Sequence, residues 1–338
     1  MNKVFNIFII AALFSLLSCN REVIPQQDAT PIQFGQVETR AGLPEVQANG
    51  FSVWASVSSK DAANTVQYEP LLENEKVYFK NGEWTYENTE YWIPNSHFYF
   101  LATYPNNILL SLDRVENQGK LYSIYSTEVT ANGKDTPEDI LVATNVTDTS
   151  IEGYDETVKL QFFHLLSKVN VKIRQNFDID PDFNYYVTKI TITGVKGNGV
   201  YQVMPYVNTF ISNWDFNNAT NIILEKDFSA NPVLLRDEGA ADPKVTLTVW
   251  DDGLMLIPQE FPGGNIAVRV DYLYDVNLDD DDKGEPKFVE GFIPAGEWES
   301  GKSVNYTLAI ANSSFITFEQ PRIDPWGAPQ TGGTIIIQ

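Results

Sequence analysis

Lys76-Val77-Tyr78-Phe79-Lys80, then Asn81-Gly82, then Glu83-Trp84-Thr85-Tyr86 decides the fold class. Two runs rich in β-branched and aromatic residues flank a dipeptide that accepts positive φ at both positions, as a two-residue type I′ turn requires. The stretch predicts a β-hairpin. Outward from it the period stays at two. Phe51, Val53, Ala55 and Val57 alternate with Ser52, Trp54 and Ser56, and His97–Tyr104 is apolar enough to be buried on both faces. Val158, Leu160 and Phe162 share one parity whereas Val169, Val171 and Ile173 share the other, so a bulge or break is expected across His164–Lys168. Ile190 and Ile192, then Val245, Leu247 and Val249, then Ile266–Tyr274, then Val304–Ile310 continue the alternation. No stretch holds a helical period for three turns. With 338 residues there is room for two cores. The expectation is an all-β chain of two β-sandwich domains in tandem, 41–176 and 177–314, followed by a tail, 315–338.

The beginning of the chain reads differently. Asn2-Lys3 and the apolar run Val4–Leu17 have the layout of a signal peptide, 1–18, too short for an ordinary membrane span. Leu16-Leu17-Ser18-Cys19 is a lipoprotein processing pattern, with Cys19 as the residue to be lipidated. Residues 19–40 then form a polar tether and a short half-buried strand in which Ile32 and Phe34 alternate with glutamines. Ala41–Gly50 reads as a flexible link, and Arg40-Ala41 within reach of a trypsin-like protease.

Composition removes several classes. Forty-five acids against 23 bases give a net charge of −22, which repels nucleic acid and anionic lipid. The single cysteine, at the end of the signal, excludes an internal disulfide or thiolate metal site. His97 and His164 both lie in apolar strand-like contexts, where a hydrogen-bonded ring is expected rather than a ligand. No G-x-S-x-G, phosphate-cradling glycine loop or HExxH occurs, so neither catalysis nor a cofactor is expected. Asp279, Asp281, Gly284 and Glu290 fill four positions of an EF-hand-like calcium loop. Lys283 nevertheless stands where a ligand is needed and β patterns flank the stretch, so it reads as a charged hairpin tip.

Several stretches in series resemble the fimbrillin family, the lipoprotein-derived subunits of type V pili in Bacteroidota and their Mfa-like relatives. They are Cys19 with Thr30–Phe34 and Thr39-Arg40-Ala41; Glu90-Tyr91-Trp92 and the strand ending at Tyr104-Pro105; Asp139–Ala143; Phe162–Val169; Leu254–Gln259; and Pro294–Ser303. The resemblance implies transthyretin-like or Greek-key sandwiches, lipoprotein export, and anchoring on the outer membrane at the cell surface. It also implies partnership with other pilus subunits, the same or related chains, and with an arginine-specific protease. On this chain it places the cut at Arg40-Ala41, the departing strand at Ile32 and Phe34, and the donor strand in the tail. There Phe315-Ile316-Thr317-Phe318 and Thr334-Ile335-Ile336-Ile337 are the two candidates. The other reading of the aromatic-rich chain is a surface lipoprotein that binds glycans and never polymerises.

Overall fold

The computed structural model describes residues 30–39, 43–60, 66–117, 120–131, 139–176, 183–206, 209–236, 244–275, 284–310 and 316–326. Strand β1 (Gln33–Thr39) and helix α1 (Leu43–Asn49) come first. They are followed by β2 (Phe51–Lys60), β3 (Val66–Lys80), β4 (Glu83–Thr85), β5 (His97–Tyr104), β6 (Ser111–Asn117), β7 (Lys120–Thr130), β8 (Leu141–Asp148) and β9 (Thr157–His164). Next are β10 (Ser167–Gln175), β11 (Asn184–Lys196), β12 (Asn198–Tyr206), β13 (Thr209–Asp215), β14 (Asn221–Asp227), β15 (Val233–Leu234), β16 (Thr246–Thr248) and β17 (Leu254–Leu256). The chain continues through β18 (Gln259–Phe261), β19 (Ala267–Asp275), β20 (Glu285–Phe292), β21 (Gly296–Trp298), β22 (Lys302–Ile310), β23 (Ile316–Phe318) and β24 (Arg322–Pro325). The protein is all-β, and the hairpin between β3 and β4 turns on Asn81 and Gly82 at φ 55° and 91°.

A seven-stranded sheet, ordered β1-β9-β8-β5-β2-β3-β4, organises the first part of the chain. Its inner face carries Phe51, Val53, Ala55 and Val57 from β2, Phe98, Phe100 and Ala102 from β5, and Val158, Leu160 and Phe162 from β9. Trp54, Leu101 and Val142 point the other way into a second core. Burial of both faces explains why β5 reads as a continuous apolar run rather than an alternating one.

The second core lies between two further sheets, β16-β10-β22-β23 and β14-β11-β19-β20. Val169, Val171, Ile173, Val304, Tyr306 and Leu308 of the former meet Ile190, Ile192, Val268 and Val270 of the latter. Two sheets burying their alternate residues against each other make a β-sandwich. The expected break falls at Leu165-Leu166, between β9 and β10. The two strands belong to different sheets, and their opposite parities serve different cores. A fourth sheet, β13-β12-β7-β6, joins β12 from the second half to β7 from the first. Strand pairing thus crosses position 176 at both β10 and β12.

One expectation needs correction. Part of the link expected to be flexible, Leu43–Asn49, is helical, with Val46 wholly buried in the first core. Seven residues are too few to display a helical period. The punctuation is nevertheless present: Pro44 near the start, and Gly50 just past the end at φ 72°, its N–H donating to the Val46 carbonyl.

Burial holds the phenols of Tyr201 and Tyr306 above the ordinary tyrosine range; hydrogen bonds with Ser212 and Trp298 pull the other way and lose. A raised folded-state value leaves stability intact below about pH 10 and removes it as pH climbs through that value. Unfolding midpoints measured alongside tyrosinate absorbance should therefore fall steeply on the alkaline side, and Tyr201→Phe should flatten the fall.

Candidate functional site at the first strand

β1 is the edge strand of the seven-stranded sheet and is bound by one ladder, a parallel pairing with β9. Ile32, Phe34 and Val37 are buried, as the alternation predicts for the first two. Phe34 stands edge-on to three rings, Phe51, Tyr86 and Phe100, at centroid distances of 5.9, 5.5 and 6.1 Å. The segment after β4 clasps the strand's beginning. Ile32 N–H donates to the Glu90 carbonyl at 2.8 Å, Trp92 N–H to the Thr30 carbonyl at 3.0 Å, and Tyr86 Oη–H to the Ile32 carbonyl at 2.9 Å. Burial raises the Tyr86 pKa, so the hydroxyl stays a donor over the ordinary pH range.

The register of β1 is set at Gly35. Between Phe34↔Val158 and Val37↔Leu160 the first strand carries one residue more than β9, a bulge. A Cβ on Gly35 would lie 2.1 Å from Thr157 Cγ2 and 3.3 Å from Thr157 Cβ, so only glycine allows β1 to approach β9 this closely. On the side away from β9, β1 faces β4 across a cleft of about 640 Å³, which Phe34, Phe79, Trp84 and Tyr86 help to line. The sheet curls until its two edges nearly meet.

A second constellation closes the other end of β9. His164 is buried, its Nδ1 lies 2.6 Å from Asp139 Oδ2, and its ring stacks on Trp326 with centroids 3.6 Å apart and planes 9° apart. Trp326 N–H donates to the Gly301 carbonyl and Gly301 N–H to the Leu166 carbonyl, both at 2.9 Å. The Ser300 hydroxyl donates to the Leu165 carbonyl, and Ser167 to Glu299. The stretches around 139–141, 162–169, 254–256 and 298–303, distant in sequence, converge on this corner. β24 leads into it along β22 and brings Trp326 to it.

Phe318 lies in β23, opposite Leu308 of β22, and is partly buried in the second core. Glu290 lies in β20 opposite Arg269. Cys19, Arg40, Ala41, Phe315, Ile335, Ile336, Ile337, Asp279 and Asp281 fall outside the described residues. Among the described residues no group of three or more His, Cys, Asp or Glu could hold a metal, and no helix is long and apolar enough to cross a membrane. None of the seven tryptophans is exposed. The sequence reading missed Gly35 and the partners of His164. A glycine inside an alternating strand is a bulge signal and could have flagged the first; contacts across the whole chain left no local trace of the second.

The chain belongs to the fimbrillin-like family, whose model matches residues 39–326. In fold it is similar to a fimbrial protein from Bacteroides vulgatus ATCC 8482, with 18% identity and a TM-score of 0.61 over 88% of this chain and 99% of that one. It also aligns with the tip fimbrial protein Mfa3 from Porphyromonas gingivalis with C-terminal truncation, at 10% identity and a TM-score of 0.35, over 88% of this chain and 100% of that one. No curated protein matches the chain. Family membership supports the role of a pilus subunit at the cell surface, structural rather than catalytic.

Two substitutions, each with an exposed control, test the geometry. Phe34→Ala should cost about 3–5 kcal/mol in denaturant unfolding, because three facing rings cannot close over the gap. Ile223→Ala, on an exposed face, should change it by less than about 0.5 kcal/mol. Trp326→Ala should speed amide exchange at Lys302–Asn305, which β24 covers, whereas Ile323→Ala at an exposed position should leave it unchanged.

Proposed function

We propose that this protein is a cell-surface pilus subunit, stalk, tip or anchor, that is joined to its neighbours by strand exchange and serves adhesion. The observation that carries the reading is the seat of β1: an edge strand on a single ladder, with three apolar side chains in the core. In this scheme the chain is exported as a lipoprotein on Cys19 to the outer membrane and cut by an arginine-specific protease at Arg40-Ala41. Loss of β1 then opens a groove along β9. The vacated groove exposes the backbone edge of β9 and the pockets of Ile32, Phe34 and Val37. An incoming strand satisfies both, in the manner of β-augmentation. Burying three side chains of this size is worth about 5–9 kcal/mol before ordering costs, enough for a durable joint.

The tail supplies the strand given to the next subunit. Phe315–Phe318 is disfavoured for that part, because Ile316–Phe318 is already paired with β22. Thr334–Ile337 is left as the donor, an apolar run that would be an aggregation hazard if it stayed unpaired.

Intact mass and N-terminal sequencing of native protein, comparing sheared surface material with the membrane fraction, test the scheme. A start at Ala41 in sheared material is expected, and Arg40→Ala should abolish it together with incorporation into fibres. Deleting Thr334–Gln338 should leave a folded chain that passes no strand to a neighbour, so that no subunit is added through its tail. A lipidated, uncut chain in every fraction would overturn cleavage and leave an anchor subunit or a glycan-binding lipoprotein.

A further inference from the structure

We infer that the groove left by β1 is completed by a strand from a different subunit and not by the tail of another copy of this chain. The inference rests on the strand-exchange reading. Its argument is the fit of β1 itself, because whatever replaces β1 meets the same walls.

Three walls define the replacement. Thr157 favours glycine at the place of Gly35: even with its methyl turned away, Thr157 Cβ would lie 3.3 Å from a Cβ there, so any side chain makes the two strands shift by a few tenths of an ångström. The rings of Phe51, Tyr86 and Phe100 require an aromatic side chain immediately before that glycine. The pocket of Ile32 requires an apolar residue three positions before it, with an N–H for the Glu90 carbonyl. Val37, two positions after the glycine, is buried and opposite Leu160.

The glycines of the tail are Gly327, Gly332 and Gly333, and each fails. With Gly333 in the place of Gly35, Ile335 takes the place of Val37, but Gly332 stands in the ring pocket and Gln330 in the place of Ile32. With Gly332 there, Thr331 enters the ring pocket and Pro329, which has no N–H, takes the place of Ile32. With Gly327 there, Trp326 would have to leave its stack on His164, Asp324 would be buried in the place of Ile32, and Pro329 would take that of Val37. The stretch Phe315–Phe318 has no glycine. The partner is therefore a chain whose donor strand carries an aromatic-glycine pair preceded two residues earlier by an aliphatic residue. This protein sits at a junction between unlike subunits.

The test uses the full chain with a single engineered protease site between Arg40 and Ala41, clipped after folding. Labelled peptide of sequence Thr30–Thr39 is exchanged for the clipped strand and then competed with unlabelled peptides. The tail peptide Gly327–Gln338 should compete at least about a hundredfold more weakly than unlabelled Thr30–Thr39. Peptides carrying the Gly35→Val or Phe34→Ala change should be weakened similarly. A tail peptide that competes within threefold, by about the energy of a single methylene group, would overturn the inference and leave strand exchange standing. Failure of the Thr30–Thr39 peptide itself to enter the clipped chain would instead sink the strand-exchange reading.

Discussion

Side chains that alternate with a period of two let a strand commit each face to one neighbour, and Thr157–Gln175 must serve two separate cores. The two buried leucines at 165 and 166 solve the problem by breaking the strand and reversing its parity. Everything near this corner holds the break in place. Leu165 N–H donates to the Ile140 carbonyl, Gly301 N–H to the Leu166 carbonyl, the Ser300 hydroxyl to the Leu165 carbonyl and the Ser167 hydroxyl to the Glu299 carbonyl. Without the reversal, either Val158, Leu160 and Phe162 or Val169, Val171 and Ile173 would face water.

The parallel ladders are the other unusual economy of the fold. Among the described residues only β1–β9 and β10–β22 pair in parallel. Parallel partners cannot be joined by a tight turn, so each such pair brings distant parts of the chain together. For β1 this means that its covalent link to the rest, through residues 40–42, is not what holds it in the sheet. Hydrogen bonds to β9 and the three buried side chains do that. A cut in that link would leave these contacts in place, so under the proposed exchange the strand would be held and replaced on non-covalent fit alone. That property makes Gly35 and Thr157 a gauge rather than an incidental close contact.

What could be read from the sequence was local. Asn81-Gly82 declares its hairpin in eleven consecutive residues, and the positive φ angles found there are those the pair was expected to supply. The parity reversal at His164–Lys168 was visible for the same reason. Ile32 and Phe34 face the core as their alternation with glutamines implied. What could not be read was pairing over long separations: Ile32 with Glu90, β7 with β12, His164 with Trp326. Such contacts depend on which edge lies free after the local elements have formed, and no spacing within one stretch records that. The helix around Val46 escaped for a different cause, since one side chain in a short segment cannot establish a period.

The two constellations share β9. Its edge receives the first strand over Thr157–Phe162, and its last residue, His164, holds Trp326 where the tail departs. In a fibre joined through these elements, tension arriving through the tail enters at His164 and leaves through the strand seated beside Leu160, along the axis of one β-strand. The hydrogen bonds of that parallel ladder lie across the line of pull and are loaded together instead of being opened one after another. In such a fibre a single strand, second from the edge of its sheet, would be the tension member between the subunit before and the subunit after.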